Sequence, residues 1–413
     1  MNLAMVLIQN SCMLRSEDGD TMKLLLANFS KMVGDTGGAA KVHCSFANAM
    51  KQHGHDVAMV FCDDKVGKPF FPVDNGVELY NLQHYEDTDI VFPKHLKVKR
   101  EIARAFSTRR GRAVNLEFFE KYLLKATKSI LEKFKPDLII AWQVAGSKVF
   151  LRDLKTKIPV IIMNHGTTDD MFHTYPREEI SALGQSAACQ VLLPPWAEPI
   201  KKRFPQLKTV VIGNVVPRYT ETAELASVKE QYKIIYIGRL VKKIKRPHLL
   251  IEAFSKLADA FPHWIVEIWG DGSNKSYQWM MKALIKRRRL SERIFFKGTT
   301  DDVASVLQTG DVFVFPSAFE GFGLTLAEAM SMGLPVVGCK SCVAVNELIQ
   351  DGVNGLLAED GADGLAQSMK TLMENQELRV KMGKAAKESM RKYEASVIWK
   401  AWEALLNECR VVE

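Results

Sequence analysis

Residues 311–335 read DVFVFPSAFEGFGLTLAEAMSMGLP. An apolar run closes at Pro316, a loop carrying Gly321 and Gly323 follows, and a helical pattern starts near Gly323. The next apolar run, LPVVGC (334–339), begins where that pattern stops. Strand, loop, helix and strand in this order form one βαβ unit, and near-continuous apolar strands belong to a parallel sheet covered on both faces.

The same alternation extends in both directions. Upstream lie KIIYIG (233–238), WIVEIWG (264–270) and RIFFKG (293–298); downstream lies NGLLAE (354–359). A helix should begin at Pro247, with Leu249, Leu250, Ala253, Phe254 and Leu257 on its apolar face. The first half offers KLLLANF (23–29), DVAMVFC (56–62), DLIIAW (137–142), IPVIIM (158–163), CQVLL (189–193) and TVVIG (209–213), with helical stretches at 38–52 and 115–134. The expected fold is α/β, with two tandem Rossmann-like doubly wound domains. Residues 1–21 read as an extension outside the fold, 22–215 as the first domain and 216–231 as a polar linker. Residues 232–390 read as the second domain and 391–413 as a closing helix.

Composition narrows the function classes. Of 413 residues, 47% are hydrophobic and 25% charged, which excludes global disorder. Fifty-six basic against 48 acidic residues give +8, modest for this length, so local patches carry the charge information. The odd count of seven cysteines excludes a disulfide scaffold and fits a reducing cytoplasm. Cys339 and Cys342 show C-x-x-C spacing without the second pair a zinc site needs, and read as two small thiols in a loop. No apolar run reaches the ~18 residues of a membrane span.

Doubly wound sheets bind ligands beyond the C-terminal ends of their strands. The loop after 311–316 meets that rule. Its helix start offers free N–H groups to a phosphate, and its glycines admit a ligand close to the backbone. Glu320 and Glu328 can accept hydrogen bonds from hydroxyls. This segment resembles the E-x7-E signature of retaining, nucleotide-sugar-dependent glycosyltransferases of family four, which have the two-domain GT-B fold. GRL (238–240), WGDG (269–272), FKG (296–298), EGFGLTLAEAM, GLPVV and DGVNGLL follow in the order of that family.

The resemblance implies two domains facing across a cleft, the first on the acceptor side and the second holding the nucleotide sugar, with the helix of 391–413 crossing back to the first, and a role for each matching residue. Arg239, beside Gly238, and Lys245, before RPHLLIEAF, would bind the donor diphosphate; Lys242 and Lys243 stand next to that lysine. Glu320 would contact the donor sugar, Glu328 the ribose, and the amides of Phe322, Gly323 and Leu324 the sugar and phosphate. The base would lie near Gly298. Gly37 and Gly38, in the turn from Thr36 to Ala39, resemble the glycine turn that closes on the diphosphate. His165, after IPVIIMN, stands where similar enzymes place a His near the transferred sugar; Asn164, Asp169 and Asp170 are acceptor-side candidates. The implied reaction is front-face transfer from a UDP-sugar to a hydroxyl of a glycan or lipid-linked acceptor, with the leaving phosphate helping to deprotonate it. One departure stands out: CKSCVAVNELIQDG places Glu347 in the family's Glu position but lacks the usual glycines.

No metal or other cofactor is expected. Asp18 with Asp20, and Asp87 with Asp89, have D-x-D spacing but follow no buried strand, and read as turn acids. The basic clusters lack interleaved aromatics, against nucleic acid as a partner. Residues 94–112 hold eight Lys or Arg against Glu101 alone. As one helix they place Leu96, Val98, Ile102, Ala103 and Phe106 on one arc and Lys97, Arg100 and Arg104 on the other, with Lys99 intruding. An anionic membrane surface is therefore a candidate partner, and the expected location is cytoplasmic, on the inner face of the membrane if that docking holds. Two rival readings belong to other classes. A non-catalytic sugar or lipid-surface binding protein would bind nucleotide sugars without turning them over. An NAD(P)-dependent oxidoreductase would bind NADH, yet no G-x-G-x-x-G follows a strand.

Overall fold

The structure, a computed structural model, describes residues 21–35, 37–86 and 88–410. The leading extension apart from Thr21, the turn residue Thr36, and Asp18, Asp20 and Asp87 lie outside the described residues.

The first sheet contains β1 (Lys23–Asn28), β2 (Asp56–Phe61), β3 (Glu78–Asn81), β4 (Leu138–Ala141), β5 (Val160–Asn164), β6 (Ala188–Val191) and β7 (Thr209–Val211). Its helices are α1 (Gly38–Gln52), α2 (Lys94–Phe106), α3 (Thr108–Phe118), α4 (Leu124–Phe134), α5 (Thr168–Thr174), α6 (Arg177–Leu183) and α7 (Ala197–Arg203). The second sheet contains β8 (Tyr232–Ile237), β9 (Trp264–Trp269), β10 (Ile294–Gly298), β11 (Val312–Phe315), β12 (Val336–Cys339) and β13 (Gly355–Ala358). With it go α8 (Pro247–Ser255), α9 (Lys275–Arg287), α10 (Val303–Gln308) and α11 (Leu324–Ser331). The remaining helices are α12 (Val343–Leu348), α13 (Ala362–Glu374), α14 (Gln376–Ser389) and α15 (Ala395–Cys409).

Strand orders are β3-β2-β1-β4-β5-β6-β7 and β10-β9-β8-β11-β12-β13. In each sheet the chain works outward from its first strand, then returns to that strand's other side. β1 pairs in parallel with β2 and β4, and β8 with β9 and β11. The loops after the two central strands therefore diverge, opening a crevice at the switch point.

Burial explains the strands. Leu24, Leu25 and Leu26 of β1 are all fully buried, as helices on both faces require. In the second sheet, Leu250 and Phe254 of α8, Met281 of α9 and Met369 of α13 pack with Ile234, Val266 and Val312. α8 starts at Pro247 with Arg246 before it in a left-handed conformation, φ 49°. Gly270 has φ +128°, and a Cβ there would sit 2.0 Å from the Gly238 carbonyl oxygen. Only glycine lets the loop after β9 lie against the loop after β8, where Leu240 N–H donates to the Asp271 carbonyl at 2.9 Å.

The described residues fall into two compact units, 21–191 with 199–210 and 403–410, and 192–198 with 211–402. The stretch 216–231, expected as a linker, is instead a strap on the second unit. Val216, Ala223 and Leu225 are buried, Val216 N–H donates to the Tyr393 carbonyl at 2.9 Å, and Ala223 N–H to the Met332 carbonyl at 3.0 Å. In α15, Glu403 accepts from His53 at 2.8 Å and His55 at 3.2 Å within the first unit. Those two histidines overcome burial and hold its carboxyl down at about 2.

Three local expectations change. The stretch 115–134 lies in α3, a π-helical stretch at Phe119–Leu123, and α4. The basic stretch 94–112 breaks at Ser107, which is extended (φ −166°) and whose hydroxyl caps α3 by accepting from Arg110 N–H at 3.2 Å. The expected single apolar arc also splits: Leu96 is buried, while Val98, Ile102 and Phe106 are 60%, 59% and 72% exposed.

Candidate functional site

β8 ends at Ile237, and the GRL turn follows. The Tyr236 hydroxyl donates to the Arg239 carbonyl at 3.1 Å, fixing the turn while the Arg239 side chain stays exposed. Lys245 and Arg246 N–H both donate to the Val241 carbonyl at 3.0 Å. This tight turn leaves Lys242 and Lys243 exposed but directs Lys245 inward, its Nζ 2.5 Å from Glu320 Oε1. Both side chains are mostly buried, at 15% and 11% exposure, and the ammonium lies 5.2 Å from the Phe315 ring centroid. Each charge offsets much of the other's desolvation.

Backbone contacts hold the two loops together around that pair. Ala318 N–H donates to the Ile244 carbonyl at 2.8 Å. Arg246 Nε donates to the Pro316 carbonyl at 2.8 Å, and its Nη2 to Asp360 at 2.9 Å. Sequence reading passed over Arg246; its one signal was its place immediately before Pro247, the first helical residue.

The EGFG residues divide the work. The Gly321 carbonyl accepts from Trp196 Nε1 at 2.9 Å, and buried Phe322 meets Tyr393 edge-on with centroids 5.0 Å apart. Gly323, at φ 94°, turns the chain into α11. The first amides of α11, beginning at Leu324, have no carbonyl partner within the helix and mark its positive end. Glu328 lies in the second turn of α11 and is buried. At the end of β10, Gly298 has φ +77° and open space around its Cα, so conformation alone calls for glycine.

The cysteines differ from the expected loop thiols. Cys339 ends buried β12 and Cys342 precedes α12; burial pushes their thiols up to about 12 and about 11. Glu347 lies within α12. No group of three or more metal-ligating side chains occurs among the described residues.

In the first unit, Gly37 precedes α1 and its N–H donates to Asp35 Oδ1 at 2.8 Å; Gly38 is the exposed first helical residue. Buried Asp63, unmarked by any sequence motif, accepts from the amides of Met32 at 2.8 Å, Val33 at 2.7 Å and Lys65 at 3.0 Å, and so shapes the loop after β1. Asn164 closes β5, its Oδ1 accepting from Gly166 N–H at 3.3 Å while its Nδ2 is buried without a partner. His165 follows, and its shielded Nε2 also makes no hydrogen bond.

The His165 ring stacks on Trp142 at 5.9 Å, and Trp142 stacks on His43 of α1 at 4.2 Å. Burial pulls both imidazoles down, His165 to about 4 and His43 to about 3, the latter helped by His165 itself. Asp169 and Asp170, expected in the loop, lie instead in the first turn of α5, where they favour the helix dipole. Thr167 caps that turn, accepting from Asp170 N–H at 3.1 Å; Asp170 also pairs with Arg112 at 3.4 Å and accepts from Thr174 at 3.0 Å. On α2, Lys97 is exposed, while Arg100 and Arg104 lie 3.1 and 3.0 Å from Glu101.

Known proteins share this architecture. Residues 217–389 match the model of glycosyl transferases group 1. The chain is 22% identical over 384 residues to an uncharacterized glycosyltransferase of Haemophilus influenzae, covering 92% of this chain and 98% of that one. It is 29% identical over 196 residues to the poly(glycerol-phosphate) alpha-glucosyltransferase of Bacillus subtilis, covering 47% of this chain and 28% of that protein. The S. aureus TarM structure with fondaparinux, alpha-GlcNAc-glycerol and UDP superposes with a TM-score of 0.70 at 16% identity, over 94% of this chain and 100% of that one. These matches favour neither the non-catalytic binding protein nor the oxidoreductase.

The stacked histidines make stability acid-sensitive. Each is neutral in the fold, whereas the unfolded chain protonates near pH ~6.5, so stability drops as pH falls from ~6.5 toward their folded values, at up to ~1.4 kcal/mol per unit per histidine. Buried Glu179, raised to about 7, works in the opposite sense above ~4.5, so the comparison must be against a variant. Urea unfolding at pH 7 and pH 5 should show a smaller acid loss in His43→Phe than in wild type. Equal losses would mean His43 is not held neutral.

Proposed function

We propose that this chain is a glycosyltransferase of GT-B fold that moves a hexose from a UDP-sugar to an acceptor hydroxyl with retention of anomeric configuration, in polysaccharide or glycolipid synthesis. The Lys245–Glu320 pair, set between the loops that follow β8 and β11, carries this reading. It sets a mostly buried cation and carboxylate side by side at the switch point, next to the start of α11. A donor diphosphate would take Lys245 and Arg239, whose charges neutralise the departing phosphate, and would release Glu320 to accept from sugar hydroxyls. Glu328 would receive the ribose hydroxyls, the amides of Phe322, Gly323 and Leu324 the phosphate and sugar, and the Gly298 loop the base. His165, neutral at physiological pH, would contact the sugar or acceptor as a hydrogen-bonding group, with Asn164 beside it. Asp170, engaged by Arg112 and Thr174, would shape the acceptor side, and Asp169 would face solvent there. The match to group 1 glycosyl transferases and the UDP bound to TarM support the donor assignment.

A membrane surface belongs to the same proposal. Val98, Ile102 and Phe106 recur at every fourth residue along α2 and stand exposed among the basic residues of α2 and α3. No helix among the described residues is long and apolar enough to cross a membrane. The helix would rest on anionic lipid, each nearby cation contributing ~1 kcal/mol.

Replacing Glu320 with Gln removes a positioned acceptor, so turnover should fall ~10²-fold with the urea midpoint little changed. Initial rates of sugar transfer, run in EDTA because this reading requires no divalent metal, are the check; wild-type turnover in the folded variant would exclude Glu320 from the site. Sedimentation with liposomes tests the docking surface. Binding should require anionic lipid, weaken with salt and drop when Lys97, Arg100 and Arg104 all become Ser, whereas equal sedimentation of variant and wild type would rule out α2 as the anchor.

A further inference from the structure

A cavity of about 460 Å³ opens in the second unit, away from the loops just described. It lies at the C-terminal end of α11, whose N-terminus faces the candidate donor site. One wall is α14, which presents Val380, Gly383, Lys384 and Lys387 at helical spacing i, i+3, i+4 and i+7. The other wall is the strap. Lys387 Nζ donates to the Glu221 carbonyl at 3.0 Å, and Gln376 Nε2 to the Leu225 carbonyl at 3.1 Å and the Ala226 carbonyl at 2.6 Å. A Cβ on Gly383 would lie 2.1 Å from the Gly333 carbonyl oxygen, so helix and floor are in close contact. The cavity is a built feature, fastened along both walls.

Its charges do not balance locally. Arg218, Lys384, Lys387 and Arg391 line it together with Glu224, Glu388 and Glu394. Two of the acids pair with cations of the same lining, and the third is taken up by backbone amides. Glu224 accepts from the amides of Ala226 at 3.1 Å and Ser227 at 3.2 Å, and Glu388 lies 2.9 Å from Arg391. Glu394 reaches Arg218 only at 3.7 Å. Lys384 has no ion pair among the described residues, and Lys387 meets a neutral carbonyl. Burial, then the nearby Arg218, lowers the Lys387 pKa, against a smaller raising effect of Glu221. Ala223, Leu225 and Met390, all buried, and the more exposed Val380 line the same cavity. Cations beside apolar side chains in one cavity suit a ligand with an anionic head and a hydrocarbon body.

We propose that this cavity is a second binding site, distinct from the donor loops, for an organic phosphate monoester carrying a short apolar body. The head would sit between Lys384, Lys387 and Arg218, and the body against Ala223, Leu225, Val380 and Met390. The same chemistry is presented by a lipid phosphate and by a soluble phosphate ester, and free phosphate offers the head alone.

Calorimetric titration of the full chain with hexyl phosphate, inorganic phosphate and hexyl glucoside separates the contributions. Hexyl phosphate should bind at least about tenfold more tightly than inorganic phosphate, since burying a few methylenes is worth more than that, and hexyl glucoside should not bind. Lys384→Gln and Lys387→Gln should each weaken hexyl phosphate several-fold, with Lys384→Glu as the exposed-site variant least able to disturb folding; urea midpoints identify any variant that fails to fold. Lys245→Gln should leave this binding unchanged. Absence of hexyl phosphate binding would overturn the proposal, as would retention in folded Lys384→Glu or loss in Lys245→Gln. Equal affinity for inorganic phosphate would overturn the assignment of an apolar body.

Discussion

Two parallel neighbours, β8 and β11, send the chain in opposite directions, and the second unit depends on closing the gap this leaves. The gap cannot be filled by apolar side chains, because loop backbones there carry polar groups that need partners. Lys245 and Glu320 meet across it, with the Ala318–Ile244 and Arg246–Pro316 backbone contacts on either side. A mostly buried ion pair is a poor source of net stability but a demanding one geometrically. It keeps a cation and a carboxylate in place for a ligand able to engage both. The close approach of Gly270 to Gly238 serves the same arrangement by letting a third loop lie against the first.

The first unit meets the same topological constraint with different chemistry. Asp63 gathers three amides and so shapes the loop after β1. Across the switch point, an indole sandwiched by two imidazoles occupies the space near the ends of β4 and β5. These rings carry shielded nitrogens without hydrogen bonds, a costly state that persists where the surroundings enforce it. His165 is thereby a neutral group, suited to donate or accept rather than to carry charge.

The alternation of buried strands and helices was legible in the sequence because both faces of each sheet are covered, leaving apolar runs such as Leu24–Leu26 and Val312–Phe315. β3 was missed because ELYN is short, half polar and at an edge. Glu320 and Lys245 could be named from motif order, but their pairing depends on a tight turn that no spacing rule reveals. Arg246 and Asp63 act on backbone carbonyls and amides, which leave no trace in composition. The break at Ser107 was hidden because Lys and Arg recur on both sides of it, and the strap by its polar surface residues. Asp169 and Asp170 looked like loop acids, although two acids after a threonine are also a helix start.

The central claim is that Lys245, held against Glu320, is the cation that receives a nucleoside diphosphate. Calorimetric titration of UDP and of uridine into wild type and Lys245→Gln tests it directly, because the two ligands differ only in the diphosphate. The account predicts at least about tenfold weaker UDP binding in the variant, with uridine affinity unchanged. Equal UDP affinity in the two folded proteins would contradict it.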